Sequence, residues 1–194
     1  MRIIAGDAHG RRMTAPRGFS TRPATARVRQ SIFSRLDARM ELDGSRVLDL
    51  FAGSGSLGIE ALSRGAAHAV FVDSSRHASD AIQRNLRQLG LAMRTEMLHM
   101  DIFRALSALA GRGERFDLVF VDPPYADDRS AEALARISEL NLMTDGAFAV
   151  VRQSSRAPEI NPPDFATVRT ATVGDHRIAL YRRGTGTALS AADG

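Results

Sequence analysis

The sequence predicts an α/β protein: a seven-stranded, mainly parallel sheet ending in an antiparallel strand, preceded by a short hairpin and a helix. Three observations carry this expectation. From residue 46 onward, short apolar runs of strand length alternate with helical patterns, as in a parallel sheet covered on both faces. The last two strand-like runs have no helix between them, which calls for an antiparallel hairpin. A chain of 194 residues, 44% apolar and 25% charged, is long enough for one well-buried domain with a short appendage.

In chain order, Ile3-Ile4 and Arg11–Met13 flank a glycine-containing turn and are expected to pair as a small hairpin. Thr25–Met40 reads as an amphipathic helix, with Val28, Ile32, Phe33, Leu36 and Met40 on one face. Together these form an N-terminal extension over residues 1–44, ahead of a main domain over residues 45–183. Strands are expected at Arg46–Phe51, Ala69–Asp73, Arg94–His99, Phe116–Val121 and Ala147–Arg152, then at Thr167–Val173 and Arg177–Tyr181. Between the second and third, Ser75–Leu89 spaces Ala78, Ala81, Ile82, Leu86 and Leu89 as one helix face, and Gly90 ends it. Pro158, Pro162 and Pro163 exclude a helix after the fifth strand. The small, polar tail Gly184–Gly194 is expected to be disordered.

Composition removes several chemistries. There is no cysteine, hence no disulfide framework, no thiolate zinc site and no cysteine nucleophile. Methylation at carbon 5 of a pyrimidine, which usually needs that nucleophile, becomes remote. No stretch approaches the ~20 apolar residues of a membrane span, and the opening Met1-Arg2-Ile3-Ile4-Ala5-Gly6 has no apolar signal core. The expectation is a cytoplasmic protein, monomeric and without membrane partners. All 26 basic residues are arginine, which GC-rich coding explains. Ten of them fall in residues 1–46 against four acids, a net of +6, while the remainder carries −2. A basic front end on a near-neutral body suggests a polyanionic partner, most simply nucleic acid.

Asp49-Leu50-Phe51-Ala52-Gly53-Ser54-Gly55-Ser56-Leu57-Gly58 joins the first strand to a helix. Gly53 and Gly55 let the backbone turn tightly and bring a ligand to the helix N-terminus. Gly53, Gly55 and Gly58 also satisfy the dinucleotide fingerprint, and Asp73, twenty residues after Gly53, stands where a ribose-binding carboxylate belongs for either ligand. Asp49 separates them: it offers an anionic partner to the methionine amine of S-adenosylmethionine and would repel a pyrophosphate. The candidate cofactor residues are therefore Asp49, Phe51, Ala52, Gly53, Ser54, Gly55 and Asp73, with Asp101 and Ile102 after the third strand. Asp101 fits equally as an acceptor for the adenine amine and as a helix N-cap.

The fourth strand delivers Asp122-Pro123-Pro124-Tyr125 to the sheet edge where ligands bind in open α/β folds. An exocyclic amine is a poor nucleophile because its lone pair is delocalised into the ring. Acceptance of its hydrogens by the Asp122 carboxylate and the Pro123 carbonyl would favour the tetrahedral nitrogen that develops in methyl transfer. The prolines fix the backbone. Tyr125 offers a flat face for an unstacked base, worth about 1–3 kcal/mol. In-line transfer from a sulfonium requires no metal. Arg11, Arg12, Arg22, Arg27 and Arg29, with Arg17 among them, are candidates for phosphate contact.

On these residues the chain resembles the bacterial 16S rRNA (guanine-N2) methyltransferases. The likeness includes Arg2-Ile3-Ile4, Gly10-Arg11-Arg12, Thr21-Arg22-Pro23 with Arg27-Val28-Arg29, the loop Asp49–Gly55, Glu60-Ala61-Leu62-Ser63-Arg64-Gly65, and Asp122-Pro123-Pro124-Tyr125. Ala24, Ala26 and Gln30 depart from the residues usual in that family, and Asp73 replaces a frequent Glu. The resemblance implies a Rossmann-like class I methyltransferase fold, S-adenosylmethionine as cofactor, and methylation of a guanine N2 in 16S rRNA, free or within a small-subunit assembly particle. The tetrapeptide also serves adenine-N6 and other amine methyltransferases on DNA or RNA. Two further alternatives are a dinucleotide-dependent oxidoreductase and an RNA-binding protein on a catalytically retired fold.

Overall fold

The computed structural model describes residues 1–16, 25–124 and 129–184. Its elements are α1 (Ala26–Leu36), β1 (Arg46–Leu50), α2 (Ser56–Ser63), β2 (His68–Asp73), α3 (Arg76–Leu89), β3 (Thr95–His99), α4 (Ile102–Gly111), β4 (Phe116–Val121), α5 (Ser130–Glu139), β5 (Met143–Ser154), β6 (Phe165–Val173) and β7 (His176–Arg183). The seven strands form one sheet in the order β3-β2-β1-β4-β5-β7-β6. β1 to β5 run parallel, and β7 is antiparallel to both β5 and β6. Among the described residues no helix is long and apolar enough to cross a membrane.

Period-2 alternation divides the interior between two layers. Val47, Phe71, Leu118, Phe120 and Val150 face a core shared with α1, α2, α3 and the N-terminal segment. Leu48, Leu50, Val70, Val119, Val121 and Val151 face α4 and α5. The expected N-terminal extension thus contributes Ile3, Ala8, Met13, Val28, Ile32, Phe33 and Leu36 to the main core.

All eight residues of α2 are buried, including Glu60 and Ser63, because the N-terminal segment lies over it. Glu60 accepts from the amides of Ile4 at 2.9 Å and Ala5 at 3.0 Å, and from Arg64 Nε at 3.0 Å. Ser63 accepts from the Ala8 amide at 3.0 Å and donates to the Ala5 carbonyl at 2.6 Å. At Gly6, with φ of +80°, a Cβ would stand 1.7 Å from the Ser63 carbonyl oxygen. The Glu60–Gly65 run is therefore the anchor of the basic front end.

Several boundaries differ from the sequence expectation. The front hairpin is a single bridge, Arg2 with Arg12, extended by bonds such as Ile3 N to Arg11 O at 3.0 Å. α1 is capped by Thr25 and closes at Leu36, after which Arg39 and Met40 turn back onto the Leu36 carbonyl. The fifth strand begins at Met143 and not Ala147, because a register shift against β4 places an irregularity around Gly146 that hides the strand's start from its apolar pattern. The tail from residue 185 onward lies outside the described residues.

Candidate active site

The carboxyl edge of the parallel strands gathers the charged residues of the site. Asp49, Asp73, Asp122 and Arg152 continue the inward rows of Val47, Phe71, Phe120 and Val150, so all four belong to one face of the sheet. β1 and β4 are neighbours with Leu50 opposite Val121, so the loop after β1 and the Asp122 segment leave the sheet side by side.

The loop after β1 is fixed by its own acids. Phe51, with φ of +58°, turns the chain out of the strand. Asp73 accepts the Gly53 amide through Oδ2 and the Ser75 amide through Oδ1, both at 2.8 Å, and so ties the loop to the end of β2. Asp49 is buried beneath the loop, and its Oδ2 accepts the Gly58 amide in the first turn of α2 at 2.9 Å. A Cβ at Gly58 would stand 2.4 Å from the Phe71 ring, so only glycine lets the helix come this close to the strand. Gly55, in the left-handed region, is the N-cap of α2.

Asn85, fully buried on α3, donates to the carbonyls of Ser54 at 3.2 Å and Thr14 at 3.0 Å, and accepts the Thr14 amide at 2.8 Å. It couples the loop to the N-terminal segment. Sequence reading missed it, although a polar residue among Ala81, Ile82, Leu86 and Leu89 on an apolar helix face was the available signal.

Asp122 is held by Arg152 on β5: Nε donates to Oδ1 at 2.5 Å and Nη2 to Oδ2 at 2.9 Å. His176, at the start of β7, places Nδ1 3.4 Å from Nη1 of Arg152. Burial pushes the Asp122 carboxyl above its ordinary range, while Arg152 and His176 pull against that rise. Burial raises Asp49 much further, helped by the charges of Asp122 and Asp73 and opposed by the Gly58 amide. An edge with this concentration of carboxylate favours a cationic ligand.

A family model described as "Conserved hypothetical protein 95" matches residues 1–182. The "Ribosomal RNA small subunit methyltransferase D" of Escherichia coli (strain K12) is 34% identical over 185 residues, which cover 94% of this chain and 90% of that protein. The chain belongs to the ribosomal RNA small subunit methyltransferase D family. The solved structure of yhhF from Escherichia coli is 33% identical, with a TM-score of 0.81 over 95% of this chain and 98% of that one. An RNA methyltransferase from Salinibacter ruber, solved with S-adenosyl-L-homocysteine, shares the fold at 15% identity and a TM-score of 0.64, over 89% of this chain and 100% of that one. The seven-strand sheet with its antiparallel β7 is thus a class I methyltransferase fold.

In this family member the expected cofactor residues lie along one edge. Ala52, Gly53, Ser54 and Gly55 form the turn itself, and half-buried Phe51 stands 5.6 Å beneath the guanidinium of Arg129. Asp101 caps α4, accepting the amides of Phe103 at 2.9 Å and Arg104 at 3.4 Å, and its other oxygen meets Arg129 at 3.3 Å. Ile102 is buried against the core of the α4 side. Pro123 is buried and Pro124 exposed, while Tyr125 lies outside the described residues.

The expected phosphate contacts divide. Arg12 and Arg27 are exposed. Arg11 is exposed as well, but its guanidinium donates to the carbonyls of Gln88 and of Leu89, the latter at 2.9 Å, at the C-terminus of α3. Arg29 corrects the expectation: it is 1% exposed and donates to the Arg2 carbonyl at 2.6 Å. The cause is helical spacing, since Arg29 shares a face with Ile32, Phe33 and Leu36. Arg22 lies outside the described residues, as does Arg17.

Proposed function

We propose that this protein transfers a methyl group from S-adenosylmethionine to the exocyclic N2 amine of a guanine in 16S ribosomal RNA. The observation that carries this reading is the pairing of β1 with β4, which sets the glycine loop beside Asp122-Pro123-Pro124 at the carboxyl edge. Family membership supports ribosomal RNA as the substrate class.

The residues fit this cofactor better than a dinucleotide. A pyrophosphate would need the free amides of the first turn of α2. The Gly58 amide is already bound to Asp49, whose carboxylate would also repel a pyrophosphate. The buried carboxylates instead suit an ammonium and a sulfonium. Asp49 would balance the amine of the methionine portion, and Asp73 would meet the ribose while bracing Gly53. When bound, S-adenosylmethionine supplies an electrophilic methyl group.

The chain's own residues would then orient the acceptor. Asp122 and the Pro123 carbonyl accept the two amine hydrogens and turn the nitrogen lone pair out of conjugation. Tyr125 would supply a stacking face for the extruded base. Orientation of two reactants carries most of the acceleration in such a displacement. Arg12 and Arg27, with Arg22, would contact the RNA backbone, which holds a base in place without reading its identity.

The test is transfer of labelled methyl groups to 16S RNA, and to small-subunit particles, from cells lacking this protein, with the modified nucleotide mapped afterwards. The expected product is N2-methylguanine at one position. Methyladenine, or label only in DNA, would replace this reading with another amine methyltransferase.

A further inference from the structure

We propose that Arg152 is a positioning residue for methyl transfer, locking the Asp122 carboxylate in the orientation in which its remaining lone pairs accept from the substrate amine. This rests on the reading above. Arg152 lies in a strand whose apolar run, Ala147–Val151, gives no hint of a site.

The geometry leaves one arrangement for the pair. Val121 and Val151 are in register, so Asp122 and Arg152 follow as direct neighbours on adjacent parallel strands and the same sheet face. Both side chains are largely withdrawn from solvent, with 14% of Asp122 and 9% of Arg152 exposed. Two parallel N–H···O bonds lock the carboxylate against rotation in a way a single donor does not. Each carboxylate oxygen has two lone pairs, and the guanidinium takes one from each. The remaining pair on each oxygen is what a substrate amine can use.

The charges around Asp122 point the same way. Asp49 on β1 is a negative neighbour that favours the neutral carboxyl, as burial does. Arg152 on β5, with His176 beside it on β7, opposes them. Without Arg152 the Asp122 carboxyl would rise further still, so the guanidinium both orients the carboxylate and offsets part of the cost of burying its charge. In the reaction, the amine lone pair forms the new N–C bond while the C–S bond breaks and its electron pair returns to sulfur. The methylated nitrogen then carries two hydrogens and a positive charge, and one proton leaves to water.

Arg152→Gln removes the cation and Arg152→Lys keeps it while losing the fork. Arg152→Gln is expected to lower kcat by about tenfold to a hundredfold with Kd for S-adenosylmethionine within about threefold. Its acid limb should move up by about one to three pH units, because Asp122 must then ionise without its partner. Arg152→Lys should lose part of kcat and keep the acid limb in place. Activity is not the sole readout. In protein carrying 13C-labelled aspartate, the carboxyl resonance absent from Asp122→Asn should titrate at higher pH in Arg152→Gln than in the natural chain. That measurement stands even if 16S RNA proves to be the wrong substrate. An unmoved titration, or an Arg152→Gln enzyme with the natural pH profile, would overturn the assignment, and so would an Arg152→Lys enzyme as shifted as Arg152→Gln.

Discussion

Oδ2 of Asp49 accepts the amide of Gly58 at 2.9 Å, so the N-terminus of α2 is bound to an anion from within the chain. The glycine pattern alone fits two cofactors, and this bond favours the cationic one. Asp49→Asn preserves shape and removes charge. It should weaken S-adenosylmethionine binding by about tenfold or more in calorimetry, with no NAD binding in either protein.

The same residue predicts a pH-dependent stability change of opposite sense. The folded-state carboxyl of Asp49 is raised well above its ordinary value, chiefly by burial. The folded state therefore carries a penalty above that raised value, and the penalty fades as pH falls toward the unfolded one. Ligand-free Asp49→Asn should melt above the natural protein at about pH 8, with the gap narrowing at about pH 5. A gap that widens on acidification would reverse the sign and refute the account.

Glu60 predicts a purely structural loss. Its carboxylate serves the amides of Ile4 and Ala5 and the guanidinium of Arg64. Each buried group left without an acceptor costs about 1–3 kcal/mol. Glu60→Ala should therefore lower stability in urea by about 3 kcal/mol or more and release the N-terminal segment to protease.

How far the sequence reached follows from which interactions are local. β4 was legible in full, because Phe116–Val121 is apolar at every position but Asp117, and the loop and tetrapeptide announce themselves by composition. Arg152 was not, since its role depends on which strand lies beside β4. Its parity was readable nonetheless: it is the first charge after Ala147–Val151 and shares the inward row of Val150. Arg29 failed for the opposite reason. Counting arginines treated it as surface, whereas helical spacing from Ile32 and Phe33 already placed it inside.

That contrast separates two kinds of arginine by experiment. Arg12→Ala and Arg27→Ala should leave Tm unchanged, weaken RNA binding, and each reduce the salt slope by about one. Arg29→Ala should lower Tm, since it removes the donor to the Arg2 carbonyl and empties a fully buried site. If Arg29→Ala instead melted normally and lost RNA affinity alone, the burial of that side chain would carry no energetic weight.

Asp122→Asn tests the chemistry most directly. The amide keeps the size of the side chain but offers one acceptor oxygen where the carboxylate offers two, and it cancels the charge that faces the developing positive nitrogen. Loss of one such preorganised electrostatic contact costs about a hundredfold to a thousandfold in kcat. S-adenosylmethionine should still bind within about threefold, because Asp49 and Asp73 are untouched. The variant also leaves the buried Arg152 without its anion, so a lowered Tm is expected beside the kinetic loss. Single-turnover rates on folded protein at a temperature well below that Tm separate the two effects. A natural rate in Asp122→Asn would mean that the Pro123 carbonyl and base stacking suffice, and that the carboxylate serves only to hold β4 against β5.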